Sequence, residues 1–169
     1  MTQQAAFRRA MRTMTSAVSV VTTAWQGRRF GMTATAVTSL SVEPPSLLVC
    51  VNRAASLHDP VLAARRFCLN ILHADQAELA QAFGGGRAGE DRFGCGAWGE
   101  REGVPCLEPA QANLFCAVDA VFPYATHSIV VGKVADVRVS DTVTPLLYQD
   151  GRYTVGLGEG VDWVVSIGG

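Results

Sequence analysis

Charge is scarce in this chain: Asp, Glu, Lys and Arg make up 17% of its 169 residues, against about 25% in ordinary soluble domains. The formal net charge is −1. That leaves no basic footprint for nucleic acid or for an anionic membrane surface. No apolar stretch approaches the roughly 20 residues that cross a bilayer, so no transmembrane helix is expected. The five cysteines include no C-x-x-C. Their odd count and irregular spacing fit a reducing, cytoplasmic compartment better than a disulfide scaffold. His58, His73 and His127 lie far apart and no cysteine pair sits at ligand spacing, so no metal site is expected. There is no G-x-S-x-G elbow and no obvious serine or cysteine nucleophile beside a base, which disfavours hydrolysis. No acidic residue precedes Glu43. Met1–Met14 carries Arg8, Arg9 and Arg12 but no apolar core of a secretory signal, and reads as an amphipathic helix with Phe7, Met11 and Met14 on one face.

What the chain does have is apolar surface: hydrophobic residues reach 49%. With so little charge, part of the exterior is expected to be buried against a second subunit, in a homodimer. The length suits one domain, residues 1–169, able to bury its own core. Short β-branched runs are read as strands near Val18–Thr23, Gly31–Thr38, Leu47–Val51, Phe67–Ile71, Leu114–Phe122, Ser128–Val139 and Arg152–Val155. Gln26-Gly27 and Asp150-Gly151 read as turn tips. Two helices interrupt the strands. One spans Ser56–Arg66 with Ser56 as N-cap; the other spans Asp75–Phe83, where Asp75 and Glu78 resemble a capping box. Many strands and few helices predict a mainly β fold, a closed or nearly closed barrel that hides its sheet edges. The segment after Val155 is glycine-rich around an apolar patch, Val161–Ile167.

Several segments carry candidate chemistry. Gly84–Gly96 holds six glycines in thirteen residues, which makes either a mobile loop or a close approach to a ligand. Its Gly84-Gly85-Gly86-Arg87-Ala88-Gly89 matches G-x-G-x-x-G in letters only, since it follows a helix and leads into a loop rather than joining a strand to a helix. Cys50, Cys68 and Cys116 fall in apolar strands, as small core residues; Cys95 and Cys106 are read as loop residues. Gly31-Met32-Thr33-Ala34-Thr35-Ala36-Val37-Thr38-Ser39-Leu40-Ser41 alternates small residues with hydroxyls. It is either a threonine-rich exposed strand or a wall on which a flat ring can lie while N–H and hydroxyl groups bond its polar edge. Downstream, Asn52-Arg53-Ala54-Ala55-Ser56 places a guanidinium and a hydroxyl at the expected start of a helix, a ready site for phosphate unless Ser56 merely caps the helix. A ring wall and a phosphate pocket one strand apart suggest a nucleotide-like cofactor with a flat head.

These segments resemble the short-chain flavin reductases, the reductase components of two-component flavin-dependent monooxygenases. The resemblance rests on Ser19-Val20-Val21-Thr22-Thr23, on GMTATAVTSLSVEPPSLLVCVNRAAS (Gly31 to Ser56), on FCLNIL, on Asp91-Arg92-Phe93 and on a late His-x-x-x-x-Gly-x-Val, and covers about Phe7 to Val155. It implies a small split β-barrel with a few short helices, a homodimer, FMN or FAD as cofactor, NADH or NADPH as co-substrate, and a monooxygenase that receives the reduced flavin. No arginine cluster marks a 2′-phosphate site, which points toward NADH. By the same resemblance Thr33, Ala34, Thr35 and Ala36 line the flavin ring and Ser39 and Leu40 continue that wall. Asn52, Arg53 and Ser56 hold the phosphate, and Arg92 and Phe93 close over the flavin. His127 sits on the nicotinamide side, preceded here by Ala125-Thr126 where relatives commonly have Gly-Asp. Tyr148 borders the same pocket or is simply a half-buried aromatic. Two other readings stay open: a flavoprotein that keeps FMN bound and passes electrons onward, and a non-catalytic flavin- or haem-binding barrel.

Overall fold

Two-residue turns decide where the strands of this chain end. Gln26-Gly27, Glu102-Gly103 and Asp150-Gly151 all have positive φ at both positions, the backbone that closes a tight hairpin with the right twist. The computed structural model describes residues 1–156. In chain order it runs α1 (Gln3–Met11), β1 (Ser16–Ala17), β2 (Ser19–Trp25), β3 (Arg28–Ala34), β4 (Val37–Val42), β5 (Pro45–Asn52), α2 (His58–Ala64), β6 (Arg66–Ile71), α3 (Ala77–Gln81), β7 (Trp98–Arg101), β8 (Val104–Leu107), β9 (Ala112–Tyr124), β10 (His127–Val139), β11 (Leu146–Gln149) and β12 (Arg152–Val155). The apolar patch Val161–Ile167 lies outside the described residues.

The fold is mainly β, as expected. Seven strands form one sheet in the order β3-β2-β6-β9-β10-β5-β4, with smaller sheets β1-β11-β12 and β7-β8 beside it. The hydrogen-bonded ladder is not closed into a barrel: β3 and β4 are its two edges. Yet Thr35 and Ala36 alone separate those edges in sequence. Three Cα steps reach at most about 11 Å, whereas the edges of a flat seven-stranded sheet would stand about 29 Å apart. The sheet therefore curls until its edges nearly meet. The strand expected over Gly31–Thr38 breaks at this step, because β3 pairs with β2 up to Ala34 and β4 pairs with β5 from Val37.

Val21, Leu47, Val49, Val51, Phe67, Leu69 and Val130 fill the curled interior, while Val18, Val20, Leu72, Phe83 and Leu146 form a second core outside it. β2 thus has apolar neighbours on both faces, which explains its unbroken run SVVTT. Gly132 is required by packing: a Cβ there would lie 2.5 Å from Phe67 Cζ. Both expected helices are shorter than their sequence signals. α2 follows Leu57, with no side-chain cap, and Pro60 sits in its first turn, where a missing N–H costs nothing. Ser56 is therefore not an N-cap. α3 starts at Ala77; Asp75 instead accepts a hydrogen bond from His73 Nδ1 at 2.8 Å. α3 continues into a π-helical turn, Ala82–Gly86, so the three glycines end a helix.

Candidate functional site

Three strands of the large sheet end together at one rim. Asn52 closes β5, His127 opens β10 and Tyr124 closes β9, with Asn52 opposite His127 and His127 opposite Tyr124. Directly opposed residues present their side chains on one face, and all three are exposed. The Arg53 N–H donates to Thr126 O at 2.9 Å, and its Nη1 lies 3.4 Å from Ala125 O. Thr126 Oγ1 lies 2.9 Å from His127 Nδ1. Ala125 has φ +47°, the left-handed backbone that glycine takes at no steric cost. Arg53 and His127 are thereby held on one tight turn.

A second cluster forms beside it. Arg92 Nη1 donates to Gly31 O at 2.8 Å and reaches Ser56 Oγ at 3.4 Å, while its Nε donates to Arg87 O at 2.8 Å. Arg92 and Ser56 thus bring a guanidinium and a hydroxyl together, with Arg53 three residues before Ser56 in sequence; these are groups suited to phosphate oxygens. The helix dipole adds nothing here, contrary to the sequence expectation. α2 has only seven residues and begins two residues past Ser56, and the His58 N–H is already spent on Ala55 O.

The glycine-rich segment is fastened down. Residues Gly89–Gly94 form a 3-10 turn. Glu90 accepts from Arg29 N at 2.8 Å, from Arg29 Nε at 2.9 Å and from Arg29 Nη2 at 2.8 Å. The Arg29 guanidinium lies 4.4 Å from the centre of the Phe93 ring. Phe93 is buried, its ring packed 5.1 Å from Phe83 and 5.0 Å from Trp98. It anchors the loop that carries Arg92 and presents no ring to the surface. The Arg29 hydrogen bonds hold the Glu90 carboxyl below its ordinary range. A carboxylate lowered in this way stabilises the fold above its unfolded value and loses that contribution as pH falls through the lowered value. Both side chains are half exposed, so the gain is modest, about 0.5–1 kcal/mol. Urea unfolding is expected to show Glu90→Gln less stable by that amount at neutral pH, with the difference vanishing in strong acid. An unchanged difference in acid would mean that the charge is not what holds the loop.

The remaining expected site residues divide between two places. Thr33 Oγ1 donates to Ala80 O at 2.7 Å, and a side chain at Gly84 would lie 3.9 Å from Thr33 and 4.0 Å from Tyr153 Oη. Tyr148 packs 5.5 Å from Tyr153, so Thr33, Gly84, Tyr153 and Tyr148 form a chain of neighbours. Ala34 is buried; Thr35 and Ala36 are exposed, and Ala36 O accepts from Cys50 N at 3.0 Å. These two therefore sit close to the Asn52 end of β5. Ser39 pairs with Leu47, five residues or about 16 Å along β5 from Asn52, and Leu40 lies at the adjoining bulge. The structure does not bring Ser39 and Leu40 to the arginine cluster. Ser39 and Thr35 line a separate cavity of about 600 Å³ with Leu69, Ile71 and Val134.

Sequence reasoning did not single out Tyr124, Tyr153 or the Arg29–Glu90 pair. Strand register places Tyr124 against His127, and tertiary contacts place Tyr153 and the Arg29–Glu90 pair. Cys106, read as a loop residue, is buried in β8. Burial pushes the thiols of Cys68 and Cys106 up and that of Cys116 up to about 12, so all three stay protonated and unreactive. Among the described residues no helix is long and apolar enough to cross a membrane and no group of three His, Cys, Asp or Glu side chains is placed to hold a metal.

Comparison with known proteins shows the family. Residues 11–156 match the flavin reductase like domain. The chain is 43% identical over 150 residues to the reductase component of an FADH(2)-dependent resorcinol hydroxylase from Rhizobium sp. (strain MTP-10005), covering 87% of this chain and 84% of that one. It is 39% identical over 151 residues to the FMN reductase (NADH) RutF of Pseudomonas syringae pv. syringae, covering 89% and 85%. The NADH:FAD oxidoreductase SgcE6 of Streptomyces globisporus, solved in complex with NAD and FAD fragments, superposes with a TM-score of 0.85 at 29% identity, over 93% of this chain and 94% of that one. By sequence match over residues 11–156 and by fold, the chain belongs to the flavin reductase like family.

Proposed function

We propose that residues 1–169 form one flavin reductase domain that oxidises NADH, reduces FMN or FAD, and releases the reduced flavin to a partner monooxygenase. The observation that carries this reading is the contact of Arg92 Nη1 with Ser56 Oγ at 3.4 Å, with Arg53, three residues before Ser56, tied to the turn that leads into His127. Arg53 and Arg92 with the Ser56 hydroxyl bind the flavin phosphate, and the exposed step Thr35–Ala36 offers backbone groups to the ring edge. Flavin, when bound, supplies the two-electron acceptor for the nicotinamide hydride. The protein's part is to hold donor and acceptor in reacting geometry, and no protein nucleophile is needed. His127, fixed by its turn, orients the nicotinamide.

The homodimer belongs to the same reading. α1 buries none of its residues, and Phe7, Met11 and Met14 are exposed by 65%, 44% and 56%, as are Phe122 and Tyr124 beside His127. A second copy is the simplest cover for both surfaces. Five free cysteines suit a reducing compartment such as the cytoplasm.

NADH oxidation followed by absorbance, with and without added free FMN or FAD, tests the proposal. Oxidation that appears only with added flavin and saturates with it is the expected result. Oxidation indifferent to added flavin would mean a resident cofactor, and none with NADH or NADPH would overturn the reductase reading. His127→Ala is expected to lower kcat about tenfold while leaving flavin affinity within about twofold of the parent. An unchanged rate at saturating NADH would remove His127 from the reaction.

A further inference from the structure

Beneath the rim lies a polar contact that the proposed reaction does not use. His58, the first residue of α2, is 8% exposed and Ser128, next to His127 on β10, is 3% exposed. His58 Nε2 lies 2.9 Å from Ser128 Oγ, and His58 Nδ1 lies 2.7 Å from the exposed carboxylate of Asp59. A carboxylate can only accept, so Nδ1 carries a proton; in the neutral imidazole Nε2 is then the acceptor and the Ser128 hydroxyl donates to it. The order Asp, His, Ser has the form of a hydrolytic triad, but a serine this buried cannot meet a substrate carbonyl.

Its place in the chain suggests another task. The segment between β5 and α2 carries Arg53 and Ser56. Its near end is tied twice: Arg53 N donates to Thr126 O, and Asn52 Oδ1 accepts from Ala54 N at 2.9 Å. At its far end Leu57 is buried in the core, and α2 starts with no side-chain cap. The His58–Ser128 contact is a side-chain tie there, and it runs to the strand that begins with His127, just after the Ala125-Thr126 turn that holds Arg53. We infer that His58 and Ser128 are positioning residues that set the location of Ser56 against Arg53 and Arg92, and so tune affinity for the phosphate of the flavin rather than for its ring. This inference rests on the reductase reading, with the phosphate at Arg53, Ser56 and Arg92.

The test compares KM for FMN with KM for riboflavin, which has the ring but no phosphate, in the full-length protein. The parent protein is expected to prefer FMN. Ser128→Ala is expected to raise KM for FMN about three- to tenfold, the scale of one buried hydrogen bond, with KM for riboflavin unmoved. Ser128→Thr, which keeps the hydroxyl, is expected to restore most of the preference. Ser56→Ala is expected to give a similar loss, and the double variant Ser56→Ala/Ser128→Ala little more, because both changes act on one contact. His58→Gln provides the same comparison should Ser128→Ala fail to fold. Equal increases for FMN and riboflavin, or additive effects in the double variant, would overturn the positioning role while leaving the reductase reading intact. A parent protein that reduces FMN and riboflavin with equal KM would overturn the phosphate site, and this inference with it. A parent protein that reduces none of FMN, FAD and riboflavin would overturn the reductase reading itself.

Discussion

Replacing Arg92 with alanine is expected to weaken flavin binding by about one to two orders of magnitude, the scale of a hydrogen bond to a charged group. Two roles meet in this side chain. Through Nε and Nη1 it clamps the glycine-rich loop to Arg87 O and Gly31 O, and through its charge it completes the donor set around Ser56. Arg92→Lys separates them, because a lysine keeps the charge but has no planar fork to bridge two carbonyls. Flavin titration by fluorescence quenching, with urea unfolding run in parallel, checks the prediction. Loss of FMN affinity in Arg92→Ala with partial recovery in Arg92→Lys is the expected pattern. Unchanged affinity together with lowered stability would mean that Arg92 is only a clamp.

Asn70→Ala is expected to destabilise the fold by about 2–4 kcal/mol, enough to unfold much of the protein near physiological temperature. Asn70 is fully buried in β6. Its Nδ2 donates to Val20 O at 2.8 Å and to Thr22 Oγ1 at 3.1 Å, and its Oδ1 accepts from Leu107 N at 2.8 Å and from Asn113 Nδ2 at 2.8 Å. One amide thus joins β2, β6, β8 and β9. Truncation removes this partner from two buried donors, Leu107 N and Asn113 Nδ2, and from two buried acceptors, Val20 O and Thr22 Oγ1, and the cost is desolvation of the groups left unpaired rather than the small net value of the lost bonds. Asn70→Asp keeps the acceptor but replaces the donating amide with a buried charge, so it is expected to be at least as damaging. Thermal or urea melts decide the matter. A loss below about 1 kcal/mol would mean that water or a rearranged neighbour satisfies the stranded groups.

Local chemistry was legible in the sequence, and pairing at a distance was not. Gln26-Gly27 and Asp150-Gly151 declared their hairpins because glycine takes positive φ freely and each pair borders a β-branched run. The strands of β9 and β10 were readable from their β-branched runs, and Arg53, Ser56 and Arg92 from the resemblance. Ser56 looked like a helix cap because a hydroxyl precedes a run of apolar residues, but Pro60 and the burial of Leu57 move the helix start onward. Phe93 was expected at the ligand, and its place between Phe83 and Trp98 depends on contacts that no spacing reveals. Arg29 and Glu90 are 61 residues apart, and Tyr124 faces His127 only through the register of β9 against β10. β7, β8 and β11 are four residues each and went unread, whereas β12, equally short, was marked by the Asp150-Gly151 turn before it.

The two residues Thr35 and Ala36, which join the edges of the large sheet, also constrain how this protein can change. They belong to the wall expected to face the flavin ring, and they are the covalent clasp that keeps β3 against β4. An insertion at this point would lengthen the clasp and let the rim gape, separating Gly31 and Thr33 from Asn52 and Arg53 without disturbing any strand pairing. A circular permutant with new ends between Thr35 and Ala36 would retain every ladder yet lose the link that forces the sheet to curl. Growth in length is therefore left to the turns at Gln26-Gly27, Glu102-Gly103 and Asp150-Gly151, where no closure depends on the count of residues.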